Sequence, residues 1–311
     1  MENKVQIDTQ YDDEIDLREL FVVLWTRRLK IMAITALFTF ISVIYALSEP
    51  NQYKATVLLA PAQSDNSNLS GVLGQMGGLA SFAGLNIGGG ESNQSQIAQE
   101  IMKSWSFVEG FIADNDLAVE VYAVDGWNRE SNQLQIDNDL YNADTQTWLV
   151  ENVNTGEAGA PSGWELYRSF SERINVSEDP QSGLVSVSLE YYSPILTKQW
   201  LDLYISAINE HMQVREVEKV SNNISYLEAQ IEKTTVAEMK DVFYSLIEEQ
   251  LKNRMVAEAS PDYTFVVVSP SMVPEEKSQP KRVLICILGT LLGGMLSSLL
   301  VLVSHYLGKS D

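Results

Sequence analysis

Cysteine is nearly absent from this sequence: Cys286 stands alone in 311 residues. No disulfide can form within the chain, so an oxidising compartment is neither required nor excluded. Histidine is almost as scarce, with only His211 and His305, and neither has a partner at a metal-ligand spacing. Bases are few, 21 Lys and Arg against 42 Asp and Glu, for a formal net charge of -21. Such a balance opposes binding to nucleic acid or anionic lipid. Solubility is its ordinary reason, preferred here to a specific cation site.

Catalytic constellations are missing too. No serine occupies a nucleophile elbow, Cys286 lies in an apolar run, and paired carboxylates such as Glu248-Glu249 read as solvated helix surface. Gly308-Lys309-Ser310 resembles the end of a phosphate loop, but Val303 stands where its leading glycine belongs. The expectation is a protein that is not an enzyme and holds no metal or cofactor.

Two long hydrophobic runs are present. Residues 31–47 form roughly 17 uncharged positions, at the lower edge of what spans a bilayer, and residues 283–304 form roughly 22, which span with some tilt. Leu29 extends the first run, and Lys30 can snorkel to the interface. A cleavable signal peptide is the rival reading of the first run. The thirty residues before it are long and acidic (Asp12, Asp13, Glu14, Asp16, Glu19), unlike a short basic leader. Arg27, Arg28 and Lys30 favour a cytoplasmic start, and two spans return the C-terminus to the same side. Lys281 and Arg282 oppose that rule, which is weak across a long translocated loop.

Between the runs, residues 48–282 carry about 34 acids and about 15 bases, the sign of a solvated domain. Before the first run, residues 16–28 place Leu17, Leu20, Phe21 and Leu24 on one helical face. A strand is expected over residues 53–60, stopped by Pro61. Residues 63–95 follow as a Ser/Asn/Gly tract, with Gly71, Gly74, Gly77, Gly78 and Gly84, too poor in bulky side chains to form a core. It is either a linker or a functional loop facing a lumen or substrate. Ile97, Ile101, Val108 and Ile112 predict one helix over residues 97–114. Residues 119–170 are aromatic but irregular. Residues 174–176 and 184–189 flank a Pro180/Gly183 turn and read as a hairpin.

Ser193-Pro194 opens a long helix, serine as cap and proline pre-set for the first turn. Within it Val217, Val220, Ile224, Leu227 and Ile231 alternate spacings of three and four, a coiled-coil seam. An intrachain helical hairpin and packing between subunits fit that seam equally well. Thr235-x-x-Glu238 reads as a capping box for a second helix over residues 236–257, with Met239, Val242, Leu246 and Leu251 inward. A strand over residues 263–268 returns after Pro261. Pro270, Pro274 and Pro280 then make a stiff, extended approach to the second run. In that run Gly289, Gly293 and Ser297 recur every fourth residue, leaving one face without bulk. Packing on the first span or on a neighbouring subunit would use that face, and the spacing does not choose.

These elements predict an α+β fold: two transmembrane helices flanking an α/β base domain with a long protruding helical arm, about residues 194–258. The segments are 1–28, a span at 29–48, the domain 49–282, a span at 283–304 and a tail at 305–311.

The order of Asp16-Leu17-Arg18-Glu19-Leu20, Trp25, a first span, an α/β loop with a long helix and a proline-rich second span resembles the polysaccharide co-polymerases. More narrowly it resembles the Wzz-type O-antigen chain-length determinants. Their signature, Pro-x-x-Pro-x-Ser-Pro-Lys and then Gly-Gly-Met-x-Gly-Ala-Gly, is met at its spacing by Pro274, Pro280, Lys281, Gly293, Gly294 and Met295. Lys277 and Gln279 replace a proline and the serine; Ser297, Ser298 and Leu299 replace the last small residues. Trp164-Glu165-Leu166-Tyr167 is also similar to the family. The resemblance implies an octamer-like ring in a bacterial inner membrane, a periplasmic main domain and cytoplasmic termini. It further implies action with the O-antigen polymerase on a lipid-linked polysaccharide, and no catalytic residue. Regulation of another polymer, enterobacterial common antigen or an exopolysaccharide, is the alternative, followed by a membrane sensor ectodomain.

Overall fold

The computed structural model describes residues 17–62, 90–150 and 159–307. The chain divides into two compact units, one made of residues 1–50 and 279–311, the other of residues 51–278.

The first unit is helical. α1 (Leu17–Thr26) and α2 (Arg28–Ser48) precede the large domain in sequence, and α9 (Arg282–Leu307) follows it. α2 and the part of α9 ending at Ser304 are both long and apolar enough to cross a membrane. They pack side by side, with α1 against both.

The second unit begins with β1 (Gln52–Pro61), where Ala55, Val57 and Leu59 alternate inward. α3 (Gly90–Lys103), α4 (Trp105–Asp114) and α5 (Ala118–Tyr122) come next. Two hairpins follow, β2 (Val124–Asn128) with β3 (Gln133–Ile136) and β4 (Tyr141–Asn142) with β5 (Thr147–Trp148). α6 (Gly163–Ser171), β6 (Ile174–Glu178) and β7 (Val185–Tyr191) lead into α7 (Pro194–Lys233) and α8 (Ala237–Ala259). β8 (Phe265–Ser269) and β9 (Lys277–Gln279) complete the sheet.

That sheet is antiparallel in the order β6-β7-β1-β8, with β9 also on β1. β7 is central and reads as such, with Val185, Val187, Leu189 and Tyr191 all buried. The first half of α7 lies on β1 and β7 and buries Trp200, Leu201, Tyr204, Ile208 and Met212. α3, α4 and α6 add Met102, Phe111, Ile112 and Phe170 to the same core. Tyr204 donates to the Met102 carbonyl and Tyr191 to that of Glu120 at 2.6 Å. Burial pushes both phenols far above their ordinary pKa, so each stays a neutral donor. Asn209, itself buried, accepts from the Thr264 and Phe265 amides at 3.0 and 2.9 Å and donates to the Phe265 carbonyl at 2.9 Å. One helix side chain thus satisfies the backbone where β8 enters the sheet.

Several elements depart from the expectations. The helix expected from residue 97 starts at Gly90, inside the stretch read as loop, and breaks at Ser104. The Ser104 hydroxyl and amide both bond the Ile101 carbonyl, at 2.7 and 2.9 Å, and displace the helical pattern. The stretch read as irregular holds α5, both hairpins and α6. The capping box at Thr235 does not form: α8 is capped by the backbone of Val236 alone, after an extended Thr234. On α8, Met239, Val242 and Leu251 face outward rather than in. The helix is set one step round, with Phe243, Leu246 and Ile247 half-buried.

Candidate functional site

In the first unit the small-residue face of α9 lies against α2. A β-carbon on Gly289 would come within 2.5 Å of the Ser42 Cβ, and one on Gly293 within 2.6 Å of the Phe38 Cβ and 3.4 Å of the Thr35 Cα. Ser297 is fully buried there. Both helices depend on these positions lacking bulk, as close backbone approach in lipid requires. Gly294 is different, because a β-carbon there meets nothing within 4 Å. Met295 is exposed.

A ladder of polar contacts runs along the same seam. Thr35 and Ser297 hydroxyls are 3.3 Å apart, those of Thr39 and Thr290 are 3.0 Å apart, and Ser42 donates to the Ile285 carbonyl at 3.4 Å. Arg282 caps one end by donating to the Ala46 carbonyl at 2.9 Å, and Arg27 the other by donating to Ser304 at 3.3 Å. The expectations omitted these hydroxyls, although Thr35, Thr39 and Ser42 are spaced at four and three and so share one face.

In the second unit the seam of Val217, Val220, Ile224, Leu227 and Ile231 lies on the half of α7 beyond the core. Val220 is buried and the other four are half-buried, and this half packs on α8. Within one chain the seam therefore serves the helical hairpin. α8 turns Met239, Val242, Leu251, Met255 and Val256 outward.

Pro270 is exposed and Pro274 and Pro280 are half-buried, in a segment without helix, interrupted by the short β9. The Gln279–Pro280 bond is cis. Lys281 is exposed just before α9. Gly71, Gly74, Gly77, Gly78 and Gly84 lie outside the described residues, as do Gly308-Lys309-Ser310.

Among the described residues no group of three or more His, Cys, Asp or Glu is placed to hold a metal. His211 is exposed, with its ring edge-to-face with Phe107 at 5.4 Å. Glu165 is a carboxylate whose pKa its surroundings lower. The Ser162 amide, and next its hydroxyl, donate to it and lower its pKa, and the Ser162 side chain in turn caps α6.

Comparison with known proteins bears on this arrangement. Residues 13–115 match Wzz, "Chain length determinant protein". Residues 233–306 match GNVR, "G-rich domain on putative tyrosine kinase". The two matches together cover more than half of the chain. The chain belongs to the Wzz-type polysaccharide co-polymerase family. That family is one of chain-length regulators and generally lacks catalysis. No curated relative matches significantly. Among solved structures, a full-length bacterial polysaccharide co-polymerase is 13% identical over 95% of this chain and 99% of its own, with a TM-score of 0.39. A fragment of WzzB, a polysaccharide co-polymerase from Salmonella Typhimurium, is 13% identical over 74% of this chain and 100% of its own, with a TM-score of 0.30.

Proposed function

We propose that this protein sets the preferred length of lipopolysaccharide O-antigen, acting without catalysis beside the O-antigen polymerase. The observation that carries this is the chain-length-determinant match over residues 13–115. Its main domain is periplasmic, both termini are cytoplasmic, and the two apolar helices anchor it in the inner membrane as a two-pass protein. Subunits assemble into a ring around the lipid-linked polysaccharide. Support for self-association comes from the apolar side chains that α8 leaves water-exposed in one chain, Met239, Val242, Leu251, Met255 and Val256. Ring size or arm geometry sets how long the polymerase stays on one growing chain.

A second reading, regulation of another surface polysaccharide, draws on the match of residues 233–306 to a domain named for a different class of protein. A lipopolysaccharide ladder gel from the source strain, with and without the gene, separates the two. Loss of a clustered band pattern, restored by the gene, supports the O-antigen role. An unchanged ladder overturns it and turns attention to the other polymers of the cell.

A further inference from the structure

The second unit exposes aromatic surface at one place where three helices meet. Trp105 opens α4 and is 48% exposed, and Trp164 opens α6 and is 61% exposed. Both are large rings left in water, on helices that pack together. The tilted Tyr167 ring lies 5.2 Å from that of Trp164, and its hydroxyl donates to the Lys103 carbonyl at 3.1 Å, two residues before Trp105. Glu109, one turn beyond Trp105, lies so close to Gly163 that a β-carbon there would strike its carboxylate. Trp105, Glu109, Trp164 and Tyr167 are thus brought near one another where α4 meets α6. Beside it, Gln96, Ile97, Glu100, Ile101 and Ser104 line a shallow groove.

This platform is held rigid. The capping box of Ser162 and Glu165 fixes the first turn of α6, where Trp164 sits. Ser104 ends α3 and starts α4, fixing Trp105. Flat rings with polar groups at their edges suit a ligand that is apolar on its faces and hydroxylated at its rim. That is the shape of a pyranose, whose axial C–H groups meet the electron-rich ring face while its hydroxyls bond carboxylates and amides. Two bases lie near the rings, Lys103 paired with Glu100 at 3.3 Å and Arg168 with Glu172 at 3.5 Å, so Glu109 and Glu165 leave the place acidic and oppose a polyanion and an anionic membrane alike.

We propose that Trp105, Trp164 and Tyr167, with Glu109 and the groove along Gln96, Glu100 and Ser104, form a binding site for a neutral glycan chain. This rests on the polysaccharide role above and names where the chain is touched. A length regulator with a glycan foothold on each subunit can hold a growing polymer weakly at many points at once.

The test uses the full-length protein in neutral-lipid nanodiscs. Three probes are titrated: delipidated polysaccharide from the source strain, laminarihexaose as a neutral glycan, and polygalacturonate as a polyanion. Binding is read by saturation-transfer NMR and tryptophan fluorescence. The wild type is expected to bind the neutral probes and ignore polygalacturonate. Trp164→Ala with Trp105→Ala should weaken neutral binding by about tenfold or more, one stacked ring being worth roughly a factor of ten at most. Trp164→Phe with Trp105→Phe, with unchanged circular dichroism, should keep most of it. No binding of either neutral probe at millimolar concentration overturns the site, as does equal binding by the alanine variant. Preferential binding of polygalacturonate also overturns it. The ladder gel judges the chain-length role separately. A ladder that depends on the gene while the purified protein ignores glycans leaves that role standing and removes this site.

Discussion

Replacing Gly293 by alanine tests whether the two apolar helices are held by close approach. The new methyl lies 2.6 Å from the Phe38 Cβ, and ordinary carbon contact begins near 3.5 Å, so the helices must part by about 1 Å. No side-chain swing relieves it, because the nearest atom is the Phe38 β-carbon, fixed to the backbone, and after the Phe38 Cγ at 3.1 Å comes the Thr35 Cα at 3.4 Å. Overpacking of this kind costs about 1–3 kcal/mol. Parting also stretches the Thr39–Thr290 and Thr35–Ser297 pairs, now 3.0 and 3.3 Å, beyond hydrogen-bond reach. Each such pair in a membrane is worth about 0.6 kcal/mol, which brings the expected loss to about 2–4 kcal/mol. Gly294→Ala is the control one residue away: nothing lies within 4 Å, and alanine is the better helix former by about 1 kcal/mol. Steric trapping of the α2–α9 pair in bicelles, through a biotin label on each helix, measures both. A Gly293→Ala loss under about 0.5 kcal/mol, or equal losses at 293 and 294, would refute the close-packing argument.

Two further outcomes follow from the second unit. Asn209→Ala leaves two amides and a carbonyl of the Thr264–Phe265 backbone unsatisfied in a buried place. A loss of about 2–4 kcal/mol in denaturant unfolding is expected, and a loss below about 1 kcal/mol would show that water replaces the amide. Ile224→Lys with Leu227→Lys puts two ammonium groups into the α7–α8 seam, so limited proteolysis should cut the hairpin while the core domain persists, with a smaller oligomer mass. Unchanged protease resistance and mass would mean the seam holds nothing together.

Where one physical rule dominated, the sequence was enough. A run of β-formers stopped by Pro61 marked β1, and the Pro180/Gly183 turn placed the β6–β7 hairpin. Ser193 and Pro194 marked the start of a 40-residue helix, with the Ser193 hydroxyl accepting from the Leu196 amide. Where two rules competed, it was not. Thr235 and Glu238 have the spacing of a capping box, but the turn joining two packed helices decided the backbone and left the threonine outside it. Met239, Val242 and Leu251 keep helical spacing, yet α8 is apolar on two faces, and periodicity alone cannot say which one meets α7. The hairpins between residues 124 and 148 carried a readable signal that went unread. Asn128 accepts from the amides two and three residues on, and so does Asn142. Each loop then closes through a left-handed residue, Asn132 or Gln146.

The functional surfaces divide along the same line. Gly289, Gly293 and Ser297 stood out because small residues in hydrocarbon have few explanations, but their spacing could not choose between a partner helix in the chain and one in a neighbour. The hydroxyls of Thr35, Thr39 and Ser42 supply what was missing. Read together, the two stripes are complementary, small residues on one helix and hydroxyls on the other, and each has the period the other needs. Polar side chains in an apolar run seek partners, and a matching stripe one domain away in the same chain supplies them at the highest effective concentration. The complementarity of residues 35–42 and 289–297 assigns the face to the intrachain pair. It leaves self-association to the apolar side chains exposed on α8, Met239, Val242 and Leu251 among them.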